Sequence, residues 1–274
     1  MMKRYWQNGF TLIEVMVAVA ILGIVLSGLY NLFNNQSRSF EAQRDVSITQ
    51  RDIRASLSLI ERDIRMAGLG VPRGNNPIAA LNNGAAGAPD SISTNFSPGP
   101  FTHLVSATVE SPGINNTILV NSVTNFTVGD TINLISFFDN NLRGAYIITA
   151  VDSGTKKLSL NADPSATGIE VGDFVAKNFK TISYSVVPNA VTGRNELIRG
   201  DGVVQSTIID GVVDFQLSYI LADDTEVTSP GTLADIRRVR IDITSGTIRA
   251  AARLQGQQIP REILTIVPVK NIRL

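Results

Sequence analysis

The sequence predicts an α+β fold in which one long N-terminal helix packs on a β-rich C-terminal domain. Three observations predict it. Residues 10–33 form an apolar run, residues 34–68 continue with a helical apolar stripe, and residues 101–274 alternate short apolar runs with Gly, Asn, Asp and Pro. A loop rich in Gly, Pro and Asn is expected to join the two parts over residues 69–100.

The composition excludes several classes of function. The 24 basic and 24 acidic residues give a formal charge of zero, which favours neither nucleic acid nor a charged membrane surface as a partner. The absence of cysteine excludes disulfides, thiolate metal sites and a cysteine nucleophile, and with His103 as the only histidine a multi-histidine metal site is excluded too. Neither a GxxxxGK phosphate loop nor a GxSxG motif occurs. We therefore expect no catalytic, cofactor or metal site, and no enzyme.

The apolar run of residues 10–33 predicts a transmembrane helix after a short polar leader, residues 1–9. At 1.5 Å per residue the run spans about 36 Å, sufficient for a bilayer core of roughly 30 Å. Lys3 and Arg4 precede it, so the positive-inside rule places the leader in the cytoplasm and the remaining chain outside. Glu14 is the only charge in the run, and an ionised carboxylate there is costly unless it is paired. Glu14 therefore predicts a partner, most simply a cation on another copy or another subunit.

Three interpretations of this segment compete. A cleaved secretory signal needs small residues directly after a shorter apolar core, and Ser27-Gly28-Leu29 meets that requirement poorly. An ordinary signal anchor fits the length and charge but leaves Glu14 unexplained. The third interpretation is a resemblance. The stretch Gly9-Phe10-Thr11-Leu12-Ile13-Glu14, with the apolar residues that follow, is similar to the prepilin signature of type IV pilins and type II secretion pseudopilins.

This resemblance implies that the N-terminus is processed. A membrane peptidase would cleave after Gly9, and the new N-terminus, Phe10, would be N-methylated. The conserved glutamate of the family matches Glu14, which implies a role in assembly. An α-amine is substantially protonated near neutral pH, so the amine of Phe10 could pair with Glu14 of a neighbouring subunit. The same amine lies one turn from Glu14 of its own helix, so intramolecular pairing is the alternative.

Two glycines, Gly23 and Gly28, interrupt the apolar run. Each weakens a helix by roughly 1 kcal/mol relative to Ala. Close helix packing in the membrane and local melting on entry into a filament both account for them.

The helix is expected to continue beyond the membrane as an amphipathic segment, residues 34–68. Its apolar stripe comprises Val46, Ile53, Leu57, Ile60, Ile64 and Ala67. The charged residues between them, Asp63 among them, are expected on solvated faces or in salt bridges between subunits. Gly68 to Pro72 should end the helix, giving one helix over residues 10–67. Residues 60–68 resemble the corresponding helix end of PilW-type minor pilins and J-type minor pseudopilins.

Short strands are expected throughout residues 101–274. Residues 101–178 are expected to form an inserted β subdomain. The strands of residues 179–274, including Tyr184 to Arg199 and Asn271 to Arg273, resemble the PilW pattern, which implies a pilin-like sheet there. The expected strands cover residues 117–120, 131–135, 145–148, 157–160, 173–175, 181–187, 196–199, 212–221, 239–244 and 262–274. The strands at 181–187 and 196–199 should form a hairpin.

Several short motifs indicate turns. Val-Gly-Asp occurs twice, at residues 128–130 and 171–173, each time before a strand, which predicts a tight turn with positive φ at the glycine. Acidic clusters at residues 139–141 and 223–226 could hold Ca²⁺, but neither has EF-hand spacing, and turn chemistry explains them better. His103 is expected in a surface or packing role.

The C-terminal forty residues are locally basic. Their cations are Arg237, Arg238, Arg240, Arg249, Arg253, Arg261, Lys270 and Arg273, against three carboxylates. A tip that contacts DNA is one interpretation, and strand arginines that blunt sheet edges are the other. No aromatic residue interleaves with these cations, which weakens a stacking model for single strands.

Together the resemblance implies a minor type IV pilin, a structural subunit of the complex that primes or caps a pilus. Its partners would be other minor and major pilins, the prepilin peptidase and methyltransferase, and inner-membrane lipid, with nucleic acid as the alternative partner of a DNA-binding tip. It would lie in the inner membrane as a single-pass protein before assembly, and in the pilus or at the cell surface after it. The alternatives are a minor pseudopilin of a type II secretion system and a DNA-binding or adhesive tip pilin.

Overall fold

The fold is known from a computed structural model that describes residues 11–82, 88–110, 116–246 and 261–269. Over this part of the chain it has one long helix, α1 (Leu12–Met66), followed by a β-rich body. The predicted α+β architecture is confirmed. The leader, residues 1–9, and the predicted processing residues Gly9 and Phe10 lie outside the described residues.

Helix α1 begins and ends at local sequence signals. The Thr11 side chain caps its N-terminus, and Glu14 completes a capping box by accepting hydrogen bonds from Thr11. After Met66 the chain leaves the helix, and Gly68 and Gly70 take φ values of 85° and 65°. These left-handed positions suit glycine, so the predicted stop after the amphipathic segment is confirmed.

The body contains fifteen strands within the described ranges. They are β1 (Ile78–Asn82), β2 (Ser91–Phe96), β3 (Phe101–His103), β4 (Thr117–Leu119), β5 (Thr131–Ile135), β6 (Leu142–Asp152), β7 (Lys157–Leu160), β8 (Phe174–Lys177), β9 (Lys180–Pro188), β10 (Asn195–Gly200), β11 (Gln205–Asp210), β12 (Val212–Leu221), β13 (Glu226–Val227), β14 (Ile236–Ser245) and β15 (Arg261–Pro268). The predicted hairpin of β9 and β10 is confirmed. The expected C-terminal strand appears as β15, and residues 270–274 lie outside the described chain.

The prediction of a loop over residues 69–100 is wrong in part, because β1 and β2 lie within it. Strand β2 pairs along its whole length with β9, and β1 pairs with β2. Ile92 and Phe96 of β2 are buried. The segment is rich in Ser, Thr and Asn, so its local propensity for a strand is weak, and pairing with a central strand overrides that propensity. Strand β11 was not expected either.

The strands form three antiparallel sheets. One has the order β1-β2-β9-β10-β11, and a second has the order β13-β12-β14-β15. Both contribute to one hydrophobic core, which also includes the C-terminal half of α1. This core joins the helix to the body.

The third sheet has the order β3-β8-β5-β6-β7-β4 and a separate core of its own. Its two edge strands meet where Leu104 bridges Val120, and Val105 N donates to Leu119 O at 2.9 Å. The six strands therefore close on themselves as a small barrel. The barrel comes entirely from residues 101–177.

Both Val-Gly-Asp turns lie in this barrel and have the predicted geometry. Gly129 and Gly172 have φ values of 90° and 95°. Each turn is closed by its aspartate: Asp130 Oδ2 accepts from Thr127 N at 2.7 Å, and Asp173 Oδ2 accepts from Glu170 N at 2.9 Å. The strands that follow, β5 and β8, pair with each other. The prediction of two similar turns, each with positive φ at glycine, is confirmed.

Candidate functional site

The N-terminal half of α1 is an exposed apolar helix. Residues 11–33 are all exposed, and within the described residues α1 is the one helix long and apolar enough to cross a membrane. A Cβ added at Gly23 or Gly28 would meet no atom within 4 Å. Neither glycine therefore makes a close contact within this chain, and the packing interpretation of both requires another helix.

Glu14 has partners inside its own helix. Its Oε2 accepts from Thr11 N at 2.9 Å and from Thr11 Oγ1 at 3.0 Å. The carboxylate is exposed and closes the capping box described above. The sequence predicts a cation on another chain as the simplest partner of Glu14. In the structure Thr11 of the same helix already donates to one of its two oxygens. The amine that processing would create on Phe10 lies outside the described residues.

The C-terminal half of α1 packs against the body through the predicted apolar stripe. Ile53, Leu57, Ile60 and Ile64 are buried, as is Ala67 at the end of the helix. Val46, the first residue of the predicted stripe, is only half-buried. The body therefore covers α1 from about residue 49 onward, and the segment between the apolar half and the body is largely exposed.

Asp63 does not lie on a solvated face, so that expectation is wrong. Its carboxylate is completely buried between α1 and the five-stranded sheet. Tyr184 Oη donates to Asp63 Oδ2 at 2.6 Å, and Arg199 Nε donates to the same oxygen at 2.8 Å. Arg62 Nη2 reaches Asp63 Oδ1 at 3.2 Å. We call Asp63, Tyr184 and Arg199 the helix clamp.

The sequence carried a signal for this burial. Asp63 lies three residues after Ile60 and four before Ala67, which is the spacing of the apolar stripe itself. A carboxylate at a stripe position predicts a buried partner, since an unpaired buried charge is strongly unfavourable. Only the identity of the partners, on strands far away in sequence, lay beyond the pattern.

The helix clamp changes the proton affinity of its members. Burial, together with the hydrogen bond to Asp63, raises the pKa of Tyr184 far above its usual range. Burial lowers the pKa of Arg199, but its bonds to Asp63 and Tyr184 outweigh that effect and leave the pKa raised. Tyr184 therefore remains a hydrogen-bond donor and Arg199 a cation at any physiological pH.

The other residues singled out in the sequence have structural surroundings. His103 lies against the ring of Phe174, with ring centroids 4.8 Å apart. In the acidic clusters, Asp139 Oδ1 accepts from Asn141 N at 3.1 Å and Asp223 Oδ1 accepts from Thr225 N at 3.0 Å. Both clusters therefore have the expected turn chemistry.

Two arginines of the basic C-terminal region, Arg238 and Arg240, lie beside carboxylates. Arg238 pairs with Asp224, and Arg240 Nη1 lies 3.3 Å from Glu226 Oε1. These pairs reduce the positive potential available to a nucleic acid. The remaining cations of this region, except Arg237, have no described side chain: Arg249, Arg253, Arg261, Lys270 and Arg273.

The structure also shows an exposed aromatic pair that the sequence analysis missed. Phe137 and Phe138, at the turn between β5 and β6, are 58% and 77% exposed. Buried Asp173 holds this turn, since its Oδ1 accepts from Phe137 N at 3.1 Å. Asn140 O accepts from Arg73 N at 2.7 Å, which places the turn beside the segment that follows the C-terminal end of α1. We call residues 136–142 the aromatic tip.

The comparison with known proteins supports the processing motif. Residues 7–30 match the family model for the prokaryotic N-terminal methylation motif. No curated protein and no solved structure shows significant similarity to the chain. The matched residues include Gly9, Phe10 and Glu14, so the chain carries a prepilin-type N-terminus on an apolar helix that could anchor it in a membrane.

Proposed function

We propose that this type IV prepilin-like protein is a minor type IV pilin, a structural subunit of the complex that primes or caps a type IV pilus. The observation that carries the proposal is the division of α1 into two halves. Residues 11–33 are predominantly apolar and exposed, whereas one face of the C-terminal half is buried under the body through Ile53, Leu57, Ile60 and Ile64. Such a helix can leave a membrane and enter a bundle of like helices while the body stays outside.

The proposed function requires processing at the N-terminus. A prepilin peptidase would cleave after Gly9, and methylation of Phe10 would follow. The intact mass of the protein from its native membrane tests this step. We expect the loss of residues 1–9 and the gain of one methyl group. A full-length mass, or normal cleavage when Gly9 is replaced, would contradict the assignment.

Glu14 is proposed to act in assembly, by pairing with the amine of Phe10 on a neighbouring subunit. Its second oxygen, Oε1, is not used by the capping box, so the carboxylate can keep Thr11 and accept a cation. The pairing would exist only after cleavage, because the amine of Phe10 does not exist in the precursor. Glu14 would then distinguish a processed subunit from an unprocessed one.

The proposed topology follows from Lys3 and Arg4, which would keep the leader in the cytoplasm and place the body outside it. The partners would be other minor and major pilins, with inner-membrane lipid around residues 10–33 before assembly. The role is structural and not enzymatic.

Mass spectrometry of the proteins that copurify with the full chain separates a pilus subunit from a pseudopilin of a type II secretion system. Copurifying secretion components without pilins would favour the latter.

A second candidate function, display of an adhesive tip, is favoured by Phe137 and Phe138. Large exposed rings held by a buried anchor are typical of interaction surfaces. The aromatic tip lies beside the segment that follows the C-terminal end of α1, which is the end remote from the apolar half. The paired arginines of β14 do not favour DNA as the bound molecule. Salt-dependent binding of duplex DNA to the full chain would restore that alternative.

A further inference from the structure

We propose that the helix clamp fixes the position of α1 along the body, so that it determines how far the body stands from the apolar half of the helix. Its consequence for filament assembly rests on the proposed function, whereas the positioning itself does not. Asp63, Tyr184 and Arg199 would then be positioning residues.

The apolar contact specifies this position only weakly. Ile53, Leu57, Ile60 and Ile64 repeat at intervals of four, three and four residues. A shift of seven residues, about 10 Å along the axis, brings Ile53 to the place of Ile60. The core that the body shares with α1 is mostly aliphatic as well. Because burial of apolar surface is non-directional, neighbouring positions offer similar stabilisation.

The helix clamp is directional and has no equivalent at a shifted position. Asp63 Oδ2 accepts two bonds, at 2.6 and 2.8 Å, and the carboxylate has no exposed surface. A seven-residue shift would put Ser56 in its place, and a hydroxyl carries no charge for Arg199. The shift would also leave Asp63 without its donors. Buried polar groups of this kind are known to specify register in helical assemblies.

The clamp is attached to the centre of the sheet. Tyr184 of β9 and Arg199 of β10 are direct cross-strand partners, and both strands have neighbours on each side. Position is further defined by Ser56 Oγ, which donates to Ile208 O at 2.9 Å, and by Gly68 N, which donates to Asn95 O at 2.8 Å. Among these contacts, the helix clamp alone involves a fully buried charge.

The position of α1 has a consequence for the assembled subunit. One helix turn changes the distance between body and apolar half by about 5.4 Å. In a filament held together by the apolar halves, a body displaced by one turn would not meet its neighbours correctly. A fixed position is therefore needed for one subunit to fit one place in a complex.

The chain lends itself to a direct measurement because it has no cysteine. Arg54→Cys on the exposed side of α1 and Val203→Cys on the exposed turn after β10 supply two sites for spin labels. The distance distribution between them is measured by electron–electron double resonance in the full chain in detergent micelles. Three backgrounds are compared: the parent sequence, Arg65→Gln, and the triple variant Asp63→Leu, Tyr184→Phe and Arg199→Leu.

The triple variant removes the clamp without leaving a buried charge alone, so it should fold. Arg65→Gln is the matched control, because it breaks the exposed Arg65–Glu61 pair only two residues away. We expect one narrow distance for the parent and the control. The triple variant should show a broadened distribution, or a shift by about 5 or 10 Å, corresponding to one or two helix turns.

An unchanged narrow distance in the folded triple variant would overturn the proposal. If circular dichroism shows that this variant does not fold, the double variant Asp63→Asn with Arg199→Met decides the matter. These changes remove both charges and the bond between them, keep the sizes of the side chains, and leave neither charge unpaired. A broadened distribution supports the clamp, and the parent distribution in this double variant overturns it. Neither outcome depends on whether the chain assembles into a pilus, so failure of the proposed function is separately detectable.

Discussion

Asp63 of the helix and Arg199 of strand β10 are 136 residues apart in the chain, and their charged groups meet at 2.8 Å in the interior. The pair joins the element that carries the prepilin motif to the sheet at the centre of the body. A surface ion pair contributes little to stability, but this carboxylate has no exposed surface. Replacement of Asp63 alone should therefore change the stability of the body differently from replacement of Asp63 and Arg199 together.

Asp63→Leu should destabilise the body by about 3 kcal/mol, because it leaves the half-buried Arg199 without its counter-charge and the buried Tyr184 hydroxyl without its acceptor. The double variant Asp63→Leu with Arg199→Leu should recover much of that loss. Urea unfolding of the full chain in detergent, followed by tyrosine fluorescence, measures both. As a control, Arg65→Gln should change stability by no more than about 1 kcal/mol. Equal effects of Asp63→Leu and Arg65→Gln would show that the buried pair is not coupled to folding.

The stability of the body should fall at alkaline pH through Tyr184. Its pKa is raised above the ordinary value of 10.0 by burial and by the hydrogen bond to Asp63. Tyr184 in the unfolded chain loses its proton near that ordinary value, while the folded protein retains it. The stabilisation is therefore complete below about pH 10 and declines as pH rises further. Tyr184→Phe should reduce the slope of stability against pH in this range by up to about 1.4 kcal/mol per pH unit.

Tyr219→Phe is the control for this prediction. Burial, and the charge of Asp90, raise the pKa of Tyr219 as well, but its hydroxyl makes no hydrogen bond within the described part of the chain. Both variants should flatten the alkaline decline. At neutral pH only Tyr184→Phe should be less stable, by about 1.5–3 kcal/mol, because it alone loses a bond to a charged group. Equal neutral stability of the two variants would contradict the assigned role of Tyr184.

The features predicted correctly from sequence are those that local chemistry decides. Helix α1, its capping residues and the Val-Gly-Asp turns follow from periodicity, side-chain caps and glycine geometry. The features that were missed depend on distant partners. Strand β2 forms because β9 lies beside it, and Asp63 is buried because Tyr184 and Arg199 face it. A stripe position could have revealed that Asp63 is buried, but not what it binds.

The structure does not bear on the assignment of Gly9 and Phe10 as processing residues. Their assignment depends on the motif alone, because they lie outside the described residues. Glu14 is described, and the structure adds Thr11 as its local partner. A capping box is typical of a solvated helix end, whereas this helix begins within an apolar run, so the sequence does not make the local partner evident.

Glu14→Ala should leave membrane insertion and cleavage largely intact and should impair assembly, if the carboxylate pairs with the amine of a neighbour. Thr11→Val provides the discriminating control. It removes the side chain that caps the helix, which weakens the helix start by about 1 kcal/mol, and it keeps the carboxylate. Assembly is scored by the amount of the subunit in sheared filaments. If both variants assemble equally poorly, capping is the function of Glu14, and if both assemble normally, the pairing is not needed.

Phe137→Ser with Phe138→Ser should leave the stability of the body within about 0.5 kcal/mol, because both rings are mostly exposed. If the aromatic tip is adhesive, the double variant should assemble into filaments normally. Cells that display it should attach less to a hydrophobic surface. Val203→Ser is the matched control, since Val203 is 92% exposed on a different turn and should not affect attachment. Asp173→Asn should weaken attachment by an indirect route, because the buried carboxylate that holds Phe137 N would lose its charge. Normal attachment of the double phenylalanine variant would remove the adhesive function and leave the subunit with a role in assembly alone.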